Sequence, residues 1–214
     1  MPGLPGLEPL TLDLVKAAAL TGARAFADDP TTLYLIPNPE KRPNLHYAFE
    51  YYFRLSVLNG DEAYVTSQEC EGVATWMHSK ERGSVFNIFR AGWPWLSLRC
   101  GWTYLFRDAL MERRYDRLRE ELAPKPHMYL GLLAVAPSFQ GHGFASKLIR
   151  PMLARLDAEK MAAYVETQNL KNVAMYQHFG FTLLKEDIMP GAGFHMYLMA
   201  RLPLSASSAQ DNLP

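Results

Sequence analysis

The sequence predicts an α+β domain on a mixed sheet, and three observations predict it. The C-terminal half reads strand, helix, strand, helix, strand, strand. The N-terminal half reads helices, then strands, then helices. With 49% hydrophobic and 21% charged residues, the chain carries enough apolar material for a sizeable core. A length of 214 residues suits one domain, taken here as residues 1–203.

The elements follow in order. Leu4 to Leu10 reads as a short first strand interrupted by prolines. Leu12 to Phe26 has apolar residues at helical spacing, with Thr11 as its N-cap, and Asp29-Pro30 stops it. Leu45 to Leu58 is an aromatic-rich amphipathic helix closed by Asn59-Gly60. Ala63 to Thr66 and Val73 to Met77 are strands joined by a polar turn. From Val85 to Leu122 early aromatics give way to charges, and two helices are expected, the second starting near Pro94. His127 to Ala136 is a strongly apolar central strand. Helix Gly143 to Lys160, strand Ala163 to Thr167 and helix Lys171 to Phe179 follow, the last ending at Gly180. Strands Thr182 to Met189 and Phe194 to Leu202 close the domain. The small polar residues after Pro203 have the composition of a disordered tail over 204–214.

Formal net charge is zero, which removes any general electrostatic drive toward nucleic acid. The most apolar stretch, Val85 to Leu110, is interrupted by Arg90, Arg99, Arg107 and Asp108, so no spanning helix and no membrane partner are expected. Met1 to Leu10 lacks the pattern of a signal peptide, and a cytoplasmic location is the expectation. Two cysteines without a C-x-x-C pair, and six scattered histidines, point to neither a disulfide scaffold nor a metal site.

The segment with chemical content is Val135 to Ala145. An apolar strand ends at Pro137, and Gln140-Gly141-His142-Gly143-Phe144-Ala145 opens an amphipathic helix. Glycine permits unusual φ and close approach to a ligand, so successive N–H groups at a helix start form a nest for a pyrophosphate. A plain strand-to-helix turn is the bland alternative. Two other phosphate loops fit poorly. Gly-Lys-Ser/Thr is absent, and Ser146 follows Ala145 where a dinucleotide loop would bring a third glycine.

The string Val135-x-Pro137-x-x-Gln140-Gly141-x-Gly143-x-Ala145 resembles the acetyl-CoA signature of the GCN5-related N-acetyltransferase (GNAT) superfamily. Tyr164-Val165-Glu166-Thr167, Asn169, Asn172, Tyr176 and Gly180-Phe181 resemble the strand and helix that follow it there. The resemblance covers about His127 to Leu202 and looks most like the branch of puromycin-type antibiotic acetyltransferases. It implies a mixed sheet of about seven strands whose fourth and fifth strands splay apart. It also implies acetyl-CoA as cosubstrate, no metal, and a small-molecule amine as acceptor, and it leaves a homodimer open. A peptide acetyltransferase and a coenzyme A-binding sensor remain the alternatives. A helical insertion over 78–126 departs from a minimal member and bears on the acceptor side.

By the same resemblance, Leu133, Ala134 and Val135 offer backbone to the pantetheine arm. Gln140, Gly141, His142, Gly143, Phe144, Ala145 and Ser146 would hold the pyrophosphate. Asn169 and Asn172 contact the pantetheine or cap the following helix. Tyr176 matches the tyrosine assigned as general acid near the thiol, with helix packing as its plain alternative. Glu166, at the end of the fifth strand, is the candidate base. Its alternatives are a structural role for the residue, and His127, His195 or a water chain as the base. Trp76, Trp93, Trp95, Tyr129 and Tyr197 are candidates for lining an acceptor pocket, though aromatics at such spacing are more often core.

Overall fold

A computed structural model describes residues 3–79 and 84–204. The end of the expected tail, 205–214, lies outside the described residues, as does part of the expected insertion. The elements are β1 (Glu8–Pro9), α1 (Val15–Ala25), α2 (Pro30–Leu35), a 3-10 turn (Pro39–Asn44), α3 (Leu45–Asn59), β2 (Glu62–Val65) and β3 (Gly72–His78). Then come α4 (Val85–Ala91), α5 (Trp93–Cys100), α6 (Trp102–Leu122), β4 (His127–Val135), a 3-10 turn (Pro137–Phe139) and α7 (Phe144–Ala158). Last come β5 (Ala162–Thr167), α8 (Leu170–His178), β6 (Thr182–Ile188) and β7 (His195–Arg201).

The seven strands form one mixed sheet in the order β1-β2-β3-β4-β5-β7-β6. Only β4 and β5 run parallel; every other neighbouring pair is antiparallel. Side chains alternate across it, as the strand period of two requires. Ala163 and Val165 of β5 and Met199 of β7 face α7 and α8, where Leu148, Ile149 and Met152 are buried. Tyr164, Met196 and Leu198 face the opposite layer, against Tyr115 and Leu118 of α6. Trp76, fully buried in the first of these cores, would cost about 3–5 kcal/mol to truncate to alanine.

Several local expectations change. The first strand is only two residues long. Helix α1 starts three residues later than its pattern, at Val15, with Leu14 as an N-cap that makes no side-chain bond, because Thr11 sits in a preceding turn and accepts from Leu14 N through its carbonyl. Asp29 does not merely stop α1; its side chain accepts from Thr31 N and caps α2. The 85–122 region holds three helices, not two, because Gly92 and Gly101 take φ of +105° and +86° and interrupt it twice. Pro94 does sit in the first turn of α5. Gly180, at φ +86°, lies just beyond the end of α8, where Phe181 N donates to Tyr176 O. Leu204, inside the expected tail, donates its N–H to Asp157 Oδ1 at 2.8 Å. Among the described residues no helix is long and apolar enough to cross a membrane.

Candidate active site

The sheet opens at its centre. β4 and β5 pair only from His127↔Ala162 to Leu130↔Val165. Beyond Leu130, β4 continues to Val135 beside β3 alone. The divergence begins at a bulge, since Trp76 pairs with Leu130 and Thr75 with Leu132, leaving Gly131 between them. A Cβ on Gly131 would collide with Met77 Cε and stand 2.6 Å from the Tyr52 hydroxyl, so the close approach there needs glycine. Among the described residues, the backbone edge from Gly131 to Val135 that faces away from β3 thus has no strand partner.

A cavity of about 210 Å³ fills this opening. It is lined by Leu130 to Leu133 of β4, by Val165 to Thr167 of β5 and by Asn172 and Tyr176 of α8. From the opposite layer come Phe26, residues of α2 and α3, and Tyr104, Met111, Glu112 and Tyr115 of α6. The splay is therefore a passage between the two helical layers. Leu133, Glu166, Asn172 and Tyr176 meet at it, whereas Ala134 and Val135 lie buried beyond it.

At the far end of β4 the chain turns through Pro137–Phe139 into α7. Gln140 Nε2 donates to Val135 O at 3.0 Å and ties the loop to the strand end. Gly141 and Gly143 take φ of +79° and +82°, a region glycine enters without penalty. A Cβ at either would meet nothing within 4 Å, so backbone conformation, not space, selects glycine. Among the described residues no protein acceptor serves the N–H groups from Gly141 to Ser146; the first N–H bonded again is Lys147, to Gly143 O. The loop and helix start so placed, including His142, Phe144 and Ala145, suit an anion. The His142 ring points back through Nδ1 to Gln140 O, at 2.9 Å.

Glu166 is engaged on both oxygens. Arg119 Nε donates to Oε1 at 3.2 Å and Nη2 to Oε2 at 2.9 Å, while the Tyr129 hydroxyl donates to Oε2 at 2.9 Å. The guanidinium also lies 3.9 Å from the centre of the Tyr129 ring. Burial raises the Glu166 carboxyl above the usual carboxylate range, and the charge and hydrogen bonds of Arg119 pull it back. A carboxylate with its lone pairs committed this way positions its neighbours more readily than it takes a proton.

Tyr176 contrasts with it. Its ring is buried against Phe181, and among the described residues no hydrogen bond claims its hydroxyl. Burial pushes its phenol well above the ordinary value, so the proton is held at neutral pH. Asn169 caps α8 through Lys171 N at 3.0 Å. Asn172 Nδ2 donates to Thr167 Oγ1 at 3.1 Å and links α8 to the end of β5.

Other candidates lie elsewhere. His127 is buried on β4, with Nδ1 2.7 Å from Pro124 O, and does not line the cavity. His195 is exposed and pairs with Glu186. Trp76 is core and Trp95 is 67% exposed, and neither Trp93 nor Tyr197 reaches the cavity; Tyr129 does. Arg119, Glu112 and Gln168 join the site with no motif to mark them. The signal available was helical spacing, since Tyr104, Met111, Tyr115 and Arg119 fall on one face of α6.

Comparison with known proteins agrees with this geometry. The sequence model of the Acetyltransferase (GNAT) family matches residues 100–181. An uncharacterized N-acetyltransferase of Schizosaccharomyces pombe is 28% identical over 209 residues, covering 92% of this chain and 83% of its own. A Corynebacterium glutamicum structure described as histone acetyltransferase HPA2 and related acetyltransferase superposes with a TM-score of 0.65 at 24% identity, covering 96% and 99% of the two chains. The arylalkylamine N-acetyltransferase 2 of Aedes aegypti shares the fold at a TM-score of 0.56 and 12% identity, over 92% and 98%.

Proposed function

The chain belongs to the GCN5-related N-acetyltransferase superfamily and is an acetyltransferase, and on that footing we propose that it moves an acetyl group directly from acetyl-CoA to the primary amine of a small molecule. One observation carries the reading. The unpaired edge of β4 opens onto the same cavity as the Tyr176 hydroxyl.

Each end of the donor meets a feature suited to it. The free N–H groups of Gly141 to Ser146 suit a pyrophosphate, and they do so without side-chain charge, as a neutral protein requires. The free edge from Gly131 to Val135 suits the amides of a pantetheine arm, which would add to the sheet as a short strand. Asn172, held by Thr167, stands beside that path. An N–H of the same edge, where Leu133 meets the cavity, suits the oxygen of the thioester carbonyl, where negative charge develops. Tyr176 keeps its proton at neutral pH and gives it to the departing sulfur. Glu166, lining the cavity beside Tyr129, accepts from Tyr129 and holds Arg119.

The test is thiol release from acetyl-CoA with a panel of primary amines and a peptide with a free amino terminus. Release that depends on a small amine supports the reading. Release only with the peptide replaces the acceptor class, and release with none rejects the activity.

A further inference from the structure

The α6 side of the cavity carries information about the acceptor. Its wall is apolar and aromatic, with Phe26, Leu35, Phe49, Tyr104 and Met111. Three carboxylates line it: Asp29, Glu112 and Glu166. Asp29 caps α2 through Thr31 N, and Glu166 is committed to Arg119 and Tyr129. Glu112 is different. Among the described residues no hydrogen bond or ion pair engages its carboxyl, and its side chain remains open to water. Resting on the acetyl-transfer reading above, we propose that Glu112 accepts the proton of the acceptor's ammonium group, and that the acceptor is a monoamine on an apolar or aromatic body.

The position suits the role on three counts. Glu112 reaches the passage from the α6 layer while Tyr176 reaches it from the α8 layer, so base and acid approach one opening from opposite sides. Crowding by the cleft wall raises the Glu112 carboxyl above the usual carboxylate range on its protein-facing side, the neighbouring Asp108 adding to the rise and Arg119 opposing it. A carboxyl raised in this direction is a better base near neutral pH than an ordinary carboxylate. The groups around it are Asp108, Asp116 and Arg119 on α6, Glu166 on β5, Tyr52 on α3, and Tyr104, Tyr115 and Tyr129. Of these only Arg119 is cationic, and Glu166 holds it. A single uncommitted carboxylate in an apolar wall matches one ammonium, whereas a polyamine would leave further charges against hydrocarbon.

The proton and electron accounts close. Glu112 takes one proton from the ammonium, freeing the nitrogen lone pair to form the bond to the acetyl carbon. The carbonyl electron pair moves to oxygen, then returns as the carbon–sulfur bond breaks. Tyr176 donates its proton to that sulfur and recovers one from the new amide nitrogen. Glu112 then releases its proton to water at the open side of the cavity, leaving one acetamide, one thiol and one proton in solution.

The experiment uses the full chain with phenethylamine, spermidine and a tetrapeptide with a free amino terminus as probes. Phenethylamine is expected to show the highest kcat/KM. Glu112→Gln is expected to lower that value at pH 7 by about 10²-fold. The deficit should narrow as pH rises toward the amine's own ionisation, with coenzyme A affinity and melting temperature unchanged. Phenethylamine acetylation by Glu112→Gln at close to the wild-type rate overturns the proton-acceptor assignment and leaves acetyl transfer standing. So does a loss of turnover accompanied by lost coenzyme A binding. Preference for spermidine or the tetrapeptide overturns the acceptor class. A wild-type chain that releases no thiol with any probe rejects the acetyl-transfer reading and this inference together.

Discussion

Arg119 and Glu166 are 47 residues apart in sequence and form a two-pronged ion pair, with side chains 17% and 3% exposed, in which Glu166 lines the cavity. The pair joins α6 to the end of β5, the strand that diverges from β4. Removing Glu166 leaves the Arg119 charge, 17% exposed, with only the solvent-exposed Asp116 as a partner. Glu166→Gln is therefore expected to lower the unfolding free energy by about 3 kcal/mol in urea denaturation. Adding Arg119→Met should recover most of that loss. Full stability of Glu166→Gln with abolished turnover would instead restore Glu166 as the base.

Tyr176→Phe removes only a hydroxyl that no hydrogen bond among the described residues claims, so packing against Phe181 should survive. Turnover is expected to fall about 10²-fold with coenzyme A affinity retained. Steady-state kinetics and calorimetry on the same preparation separate the two. Undiminished turnover would reduce Tyr176 to a packing residue.

Gly141→Val and Gly143→Val place a branched side chain where φ is +79° or +82°. Holding that conformation costs roughly 1–2 kcal/mol per residue, and relaxing it turns the N–H groups away. Coenzyme A binding measured by calorimetry should weaken about tenfold or more. Unaltered affinity would show that the loop does not cradle the pyrophosphate.

Asp157 accepts from both Nη atoms of Arg201 at 2.7 Å and from Leu204 N. Burial opposes its ionisation, but these donors outweigh burial and hold its carboxyl below the usual range. A carboxyl depressed on folding adds stability above its unfolded value of about 3.9, and that stability is lost as pH falls through the lower folded value. Asp157→Asn should be less stable than wild type at pH 7, and the difference should shrink below about pH 4. Urea titrations at several pH values measure it; a constant gap would exclude the linkage.

The glycine-bearing turn before α7 and the α8 motif were legible because they are local. Strand, glycine-bearing turn and helix lie within Val135 to Ala145, and Asn169, Asn172 and Tyr176 fall within one short helix and its cap. Backbone conformation there depends on neighbours in sequence, which is what spacing records. The central strands were legible for the same reason, since their apolar runs require burial on both faces.

The α6 side of the cavity was not legible in this way. The charges of α6 form a run in sequence that looks like a solvated surface, and only the packing of that helix over the splayed strands sorts them. It turns Arg119 onto Glu166 and leaves Glu112 uncommitted in the cavity. By itself the sequence determined the fold class and the glycine-bearing strand-to-helix turn, because local conformation and burial patterning specify both. Tertiary structure alone decided which carboxylate is spent and which is free, because that depends on long-range contacts between elements whose separation along the chain carries no signal.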